Sequence, residues 1–307
     1  MYGLNSSFTS TNARDYLDQL FSRRSAQQVQ ERAAAAWTPP SYDRDSGTTA
    51  QDRALSKIIS IIWDMQNGGA EKSESSVNGY NGYILDATGT DEADTIDMKG
   101  ISAYNISSGD GDDTLNLKVG SLAALDAGSG NDKVNIAADY AGAIDGGDGN
   151  DAINVTGDIA DDVAGGLGDD TLRISARTIL GASGGDGNDT LYLEAGRIRA
   201  SGGKGNDTIS VVNTGNRAAE LGFATGDGSD TIRASGPLDI RFTSGDGGAD
   251  AYAPDDLTVT ASEGKLTIRA NGAEDSMTID FDTKALEGRV PAYEFVLDRG
   301  AYVLTIR

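Results

Sequence analysis

Four nonapeptides in residues 146–210 follow one template, Gly-Gly-x-Gly-x-Asp-x-apolar-x: GGDGNDAIN from Gly146, GGLGDDTLR from Gly165, GGDGNDTLY from Gly184 and GGKGNDTIS from Gly202. Their first glycines lie 19, 19 and 18 residues apart. A repeat of this period marks units that cannot bury an apolar face alone and do so by stacking on their neighbours.

Followed outward, the phase places coil starts at Gly89, Ser108, Ala127, Gly146, Gly165, Gly184, Gly202, Thr225 and Ser244. Counting from each start, position 8 is Ile96, Leu115, Val134, Ile153, Leu172, Leu191, Ile209 and Ile232. Position 10 is Met98, Leu117, Ile136, Val155, Ile174, Leu193, Val211 and Ala234. Position 9 between them is polar or amphipathic, which is the period-two alternation of a strand with one buried face. A second apolar column precedes each restart by two residues: Ile106, Leu125, Ile144, Val163, Ala182, Ala200, Phe223 and Phe242.

Each coil therefore holds a Gly-Asp turn, a strand, a connection, a second strand and a return. The expected fold is mainly β: a right-handed parallel β-solenoid, or β-roll, of about eight 19-residue coils. A narrow core of this kind suits a chain with only 6% aromatic residues. The 23-residue coil from Gly202 should bulge around residues 213–220, and after Ser244 the motif decays, with Ala249 in place of the aspartate.

The flanks read differently. Residues 1–70 carry seven acids and seven bases, so the formal charge of −23 resides in the rest of the chain. Asn12 caps a helix with the stripe Leu17, Leu20, Phe21, Val29 and Ala33, ended by Trp37-Thr38-Pro39-Pro40. Thr49 caps another, with Leu55, Ile58, Ile59, Ile62 and Met65 on one face and Asn67-Gly68-Gly69 as its stop. The expected organisation is two amphipathic helices in 1–70 as a cap or assembly segment, a lead-in over 71–88, the solenoid over 89–253 and a β cap over 254–307. That cap is signalled by the runs DLTVTA, KLTIRA, SMTIDF, YEFVL and YVLTIR.

Position 6 is Asp94, Asp113, Asp132, Asp151, Asp170, Asp189, Asp207 and Asp230. Stacking brings these carboxylates into a column, where two charges about 5 Å apart repel by roughly 3 kcal/mol at an effective dielectric near 20. Over several rungs this rivals the stability of a domain. Glycine at positions 2 and 4 permits backbone angles closed to other residues, which can turn carbonyl oxygens toward the carboxylates. The candidate metal residues are thus Asp113, Asp132, Asp151, Asp170, Asp189, Asp207 and Asp230 with Gly109, Gly111, Gly128, Gly130, Gly147, Gly149, Gly166, Gly168, Gly185, Gly187, Gly203 and Gly205. An all-oxygen set of this kind suits several Ca²⁺ ions better than Zn²⁺ or Mg²⁺. One Gly-Asp turn alone would be an ordinary turn former with a solvated charge. Asp94 is the weaker member because its turn, GTDEAD, lacks the second and fourth glycines, and Asp230 follows the insertion.

These nonapeptides resemble the haemolysin-type calcium-binding repeat of the RTX proteins over residues 89–253, with SGDGDDTLN, AGSGNDKVN and TGDGSDTIR as near copies. The tail DDLTVTASEGKLTIRANGAEDSMTIDFD is also similar to the β segment that follows such repeats. The second half-coil departs from the regular roll: it reads LKVGSLAALD or ISARTILGAS, without a Gly-x-Asp turn, so one row of Ca²⁺ is expected along one edge. The resemblance implies type I secretion, folding in extracellular calcium and an extracellular or cell-surface location.

Without cysteine or histidine, disulfides, thiolate nucleophiles and the commonest general base are excluded. No nucleophile elbow or HExxH motif is present. The acidic charge argues against nucleic acid as a partner, and no apolar run reaches the length of a membrane span. The expected role is a non-enzymatic calcium-binding structural, matrix or surface-assembly protein, with the first 70 residues as a docking or polymerisation element. The alternatives are an accessory adhesin or a lyase- or epimerase-like β-helix enzyme on acidic polysaccharide, using Arg173, Tyr192 and Arg233 at outward position 9.

Overall fold

The computed structural model describes residues 76–78, 82–244, 251–281 and 290–307, all in the unit that begins at Gly68. The chain winds as a parallel β-solenoid of about eight turns. Its first rung is β1 (Ser76–Asn78) with β2 (Tyr83–Thr88). Four strands then run almost the whole way round a coil: β3 (Thr95–Ser107), β4 (Thr114–Asp126), β5 (Lys133–Asp148) and β6 (Ala152–Leu167). Later coils divide into pairs: β7 (Thr171–Ile179) and β8 (Ala182–Asp186), β9 (Thr190–Ala195) and β10 (Arg199–Lys204). β11 (Thr208–Asn213) and β12 (Ala219–Ala224), then β13 (Ser229–Ser235) and β14 (Leu238–Thr243), complete the array.

The register is the sequence period made visible. Thr95 pairs with Thr114, Thr114 with Lys133, Lys133 with Ala152 and Ala152 with Thr171, so equal positions stack from coil to coil. Positions 8 and 10 are buried from Ile96 to Ala234. A third inward column, at position 15, was not isolated by the sequence: Ala103, Leu122, Ala141, Ala160, Ile179 and Ile198. Each fully buried Leu, Ile or Val contributes about 1.5–3 kcal/mol, and the small residues among them set how closely the two sheets approach. The lead-in segment belongs to the same array, because Ser76 pairs with Thr95 and Tyr83 with Ser102, one period earlier. It lacks the nonapeptide and so carries no periodic mark in the sequence.

The insertion forms a short loop between β11 and β12, closed by Asn213 Nδ2 donating to the Arg217 carbonyl (2.6 Å). Beyond it the core widens enough for Phe223 and Phe242, which meet edge to face at 6.3 Å, and Tyr252 stacks on Phe223. The C-terminal cap is β throughout. After a 3-10 turn at Pro254–Asp256 come β15 (Leu257–Ser262), β16 (Lys265–Ala270), β17 (Ser276–Phe281), β18 (Tyr293–Asp298) and β19 (Ala301–Ile306). β17 adds in parallel to β13 and β19 antiparallel to β14, so the cap closes the last rung of both sheets.

The mixed class expected from the sequence, a solenoid bearing an α-helical segment, is corrected by the structure. Among the described residues there is no α-helix; everything regular is strand apart from the 3-10 turn. A helical stripe records only a local preference, which tertiary context routinely overrides. The helices expected within 1–70 fall outside the described residues, as does the decayed motif at 245–250.

Where the second strand bends into the return, position 17 is left-handed in four successive coils: Asn105 (φ 56°), Ala124 (60°), Ala143 (52°) and Asp162 (55°). For alanine this conformation costs about 1 kcal/mol relative to glycine. Ala143→Gly should therefore raise stability by about 1 kcal/mol in urea denaturation at fixed calcium; a loss of stability would show that the bend is not strained.

Candidate functional site

The Gly-Asp turns stack along one edge. Glycines at positions 2 and 4 all have positive φ, from 89° to 146° in the coils from Ser108 to Thr225. Their second constraint is closeness: a methyl group on Gly128 or Gly149 would collide with the carbonyl oxygen of the equivalent glycine one coil earlier, Gly109 or Gly130. The turn backbone is bonded between coils, with the Asp148 N–H donating to the Gly128 carbonyl (2.8 Å) and the Gly149 N–H to the Leu167 carbonyl (2.7 Å). These glycines thus set the spacing of the turns.

Under the turns lies the position-6 column. Asp113, Asp132, Asp151, Asp170, Asp189 and Asp207 are only 1–2% exposed. In each, Oδ1 accepts the backbone N–H of the aspartate one coil earlier: Asp94 N–H to Asp113 (2.6 Å), Asp132 N–H to Asp151 (2.7 Å), Asp170 N–H to Asp189 (2.7 Å). The ladder continues to Asp230, which accepts from Asp207 (3.0 Å). The other oxygen, Oδ2, is buried and receives no hydrogen bond in any of those six residues. The sequence period places these aspartates in one column but does not reveal this division of labour between their two oxygens.

The space beside Oδ2 is defined by position 1, which the sequence reading did not single out. A methyl group on Gly146 would meet both Asp151 Oδ2 and the Gly165 carbonyl oxygen. Gly165 faces Asp170 Oδ2 and the Gly184 carbonyl, and Gly184 faces Asp189 Oδ2 and the Gly202 carbonyl, in the same way. At these three positions a carboxylate oxygen and a carbonyl oxygen pack together against the glycine Cα, an approach that any side chain would block. In the two preceding coils the place is taken. The Ser108 hydroxyl donates to the Ala127 carbonyl (2.7 Å), and Ala127 is itself fully buried. Glycine at position 1 of the template was the available signal.

The ends of the column are finished differently. Asp94 Oδ2 accepts from both the backbone N–H (2.6 Å) and the hydroxyl (2.9 Å) of Thr90, the residue that replaces the second glycine. At the other end Met277 pairs with Asp230, so the cap supplies no further rung. Asp275 takes over the turn instead, accepting from Gly226 N–H (2.8 Å), Gly228 N–H (3.1 Å) and the Tyr252 hydroxyl (2.5 Å).

A second ladder runs on the turn surface at position 5. The N–H groups of Asn131, Asn150, Asp169, Asn188 and Asn206 donate to the side-chain oxygens of Asp112, Asn131, Asn150, Asp169 and Asn188 one coil back. It opposes the sense of the buried ladder. The unbroken run of Asn and Asp at that position was its sequence signature.

Burial pushes the column's carboxyls up, reinforced by neighbouring carboxylates and opposed by the backbone hydrogen bond: Asp132 and Asp170 to about 7, Asp189 and Asp207 to about 6, Asp230 to about 8. Asp113 and Asp151 are raised in the same direction. Chemically, the column must hold either protons or cations. The donors are all oxygen, and since among the described residues no three acidic side chains converge on one point, a cation here needs backbone carbonyls as well as carboxylates. This fits a hard cation such as Ca²⁺.

The remaining candidates are more scattered. Arg173 lies over the Tyr192 ring at 3.9 Å, whereas Arg233 stands two rungs beyond Tyr192, in register with Ser210. Among the described residues no helix is long and apolar enough to cross a membrane. The chain matches no known family model and no curated protein.

The pH dependence has a definite sign. The folded column retains protons that the unfolded chain releases near its ordinary value of 3.8, so without divalent cations stability is greatest at or below that pH. It then falls as pH rises toward 7–8, by about 1.4 kcal/mol per pH unit for each retained proton. In chelator, the urea midpoint should be higher at pH 5 than at pH 8; a rise between those values would contradict the assignment.

Proposed function

We propose that the chain is a secreted, non-enzymatic calcium-binding protein of the RTX type, whose solenoid is stabilised by a single row of Ca²⁺ and which serves as an extracellular structural, matrix or surface-assembly component. The observation that carries this reading is the column of six buried carboxylate oxygens without donors. An orphaned buried acceptor costs about 1–3 kcal/mol and more when charged, and six in register demand a common counter-charge. Bound calcium supplies that charge together with a preference for six to eight oxygen ligands.

The residues that would hold it are foremost Asp151, Asp170, Asp189 and Asp207, with the position-1 carbonyls of Gly165, Gly184 and Gly202 beside them; in the coils of Asp113 and Asp132 that place carries the side chains of Ser108 and Ala127. Asp230 would close the row. The glycines at positions 2 and 4 act by permitting the turn and its close stacking. All six donor-free oxygens belong to one edge, in keeping with one row of ions. Secretion by a type I route and an extracellular location follow from the resemblance of the repeats, and calcium outside the cell would favour the folded state by mass action. The non-enzymatic reading is favoured because Arg173 and Tyr192 are already engaged with each other and Arg233 is not among their neighbours.

Far-UV circular dichroism during calcium titration and chelation at pH 8 tests the reading: β signal should grow with calcium and fall with chelator, and a fold indifferent to both would defeat it. Asp170→Asn separates a cation ligand from a merely structural residue. Its neutral amide should make the chelated protein more stable than wild type and the calcium-loaded protein less stable, by about 1–3 kcal/mol each way. Destabilisation in both states would count against a ligand role.

A further inference from the structure

The solenoid's charge is sorted by surface. On the outward positions 7, 9 and 11 of the first sheet, in the eight coils from Gly89 to Thr225, there are five bases, Lys99, Lys118, Lys133, Arg173 and Arg233, against two acids, Asp97 and Glu194. This net positive face belongs to a chain of formal charge −23. All five bases are exposed. Among the described residues none of them forms an ion pair with an acid, although Arg177, Arg199, Lys204, Arg241, Lys265 and Arg307 all do. Arg173 rests on the Tyr192 ring, and the other four, left without an acid on an acidic protein, are available to an anion from outside it.

The same face carries a groove. A concavity of about 580 Å³ runs along the corner of four successive coils, walled by Lys99 and Lys118 and lined further by Ala137, Ala138, Asp139 and Gly157. Lys99 and Lys118 are register partners, so the two lysines stand on adjacent rungs whose backbones lie about 4.8 Å apart. Alongside runs an amide ladder, with Asn116 Nδ2 donating to Asp97 (2.8 Å), Asn135 to Asn116 (2.9 Å) and Asn154 to Asn135 (3.1 Å). Each of these amides keeps a second N–H to offer outward. Small side chains leave room for a polymer to lie along the solenoid axis, and the walls offer it repeated cations.

We infer that this groove and the face beside it bind a linear polysaccharide bearing carboxylate or sulfate groups, lying parallel to the solenoid axis. The lysines meet the anionic substituents, the amides and Asp139 meet hydroxyls, and the Ala and Gly floor packs against the apolar faces of the sugar rings. Duplex nucleic acid fits less well, because its width would press its phosphates toward the acidic turn edge, where Asp112 and Asp169 are exposed. This binding is independent of any reaction and of the position-6 column.

Isothermal titration calorimetry of the full chain at fixed calcium tests it, with an oligogalacturonate of defined length, neutral dextran and double-stranded DNA as probes. Wild type should bind the oligogalacturonate and neither control. Lys99→Glu/Lys118→Glu, shown by circular dichroism to keep the fold, should weaken binding about tenfold or more. Undiminished binding by that variant would overturn the proposal and place the oligomer at the acidic edge through bridging calcium. Equal binding of dextran or DNA, or no binding by wild type, would also overturn it.

Discussion

Six aspartates of the buried column, Asp113 to Asp207, each have one oxygen tied to the backbone of the coil before and one that receives no hydrogen bond. The first bond makes the column a structural member: a carboxylate that accepts the N–H of its neighbour aligns two turns and cannot be removed without stranding that donor. The second oxygen makes the column dependent on its surroundings. Burial brings hydrophobic layers and hydrogen-bonded turns into register, and the same register stacks charges that water can no longer screen. Proton or cation occupancy is therefore coupled to the folding of the whole array, since every rung of the solenoid shares this geometry with the next.

The fold manages that dependence at its ends. Thr90 donates to the free oxygen of Asp94, so the first carboxylate of the column needs no external partner. At the far end the register changes, Met277 stands where a further aspartate would, and Asp275 turns its carboxylate toward the N–H groups of Gly226 and Gly228. The cap thus supplies acceptors to the last glycine turn without adding another rung to the buried row. Phe223, Phe242 and Tyr252 gather there, giving this end a bulkier core than the aliphatic layers that precede it. Along the row itself, Ser108 and Ala127 carry side chains where Gly146, Gly165 and Gly184 have none, so the edge is not uniform even though its period is.

Much of this was legible in the sequence because a one-dimensional array converts spacing directly into position. The period alone marks the stacked rungs, the apolar columns and the row from Asp113 to Asp230. What stayed hidden had no such periodic mark or depended on backbone shape. The rung built by β1 and β2 carries no nonapeptide. The left-handed bend falls on Asn105, Ala124, Ala143 and Asp162, residues that do not announce that conformation as glycine would. Position 1 is marked only by a glycine that resembles another turn glycine, although what it does is let a carboxylate and a carbonyl oxygen approach its Cα. The expected helical segment rested on local periodicity alone, whereas β15 to β19, signalled by the strand-like runs of 254–307, extend the sheets' hydrogen bonds.

The central claim is that the carboxylate column of the folded chain is neutralised by bound cations at a pH where its protons are lost. Native mass spectrometry of the intact chain, prepared at pH 8 in calcium and again after chelation, addresses it directly by counting ions on folded molecules. The account predicts several calcium ions on the compact species and their loss together with compactness after chelation. A compact, calcium-free chain at pH 8 would contradict it.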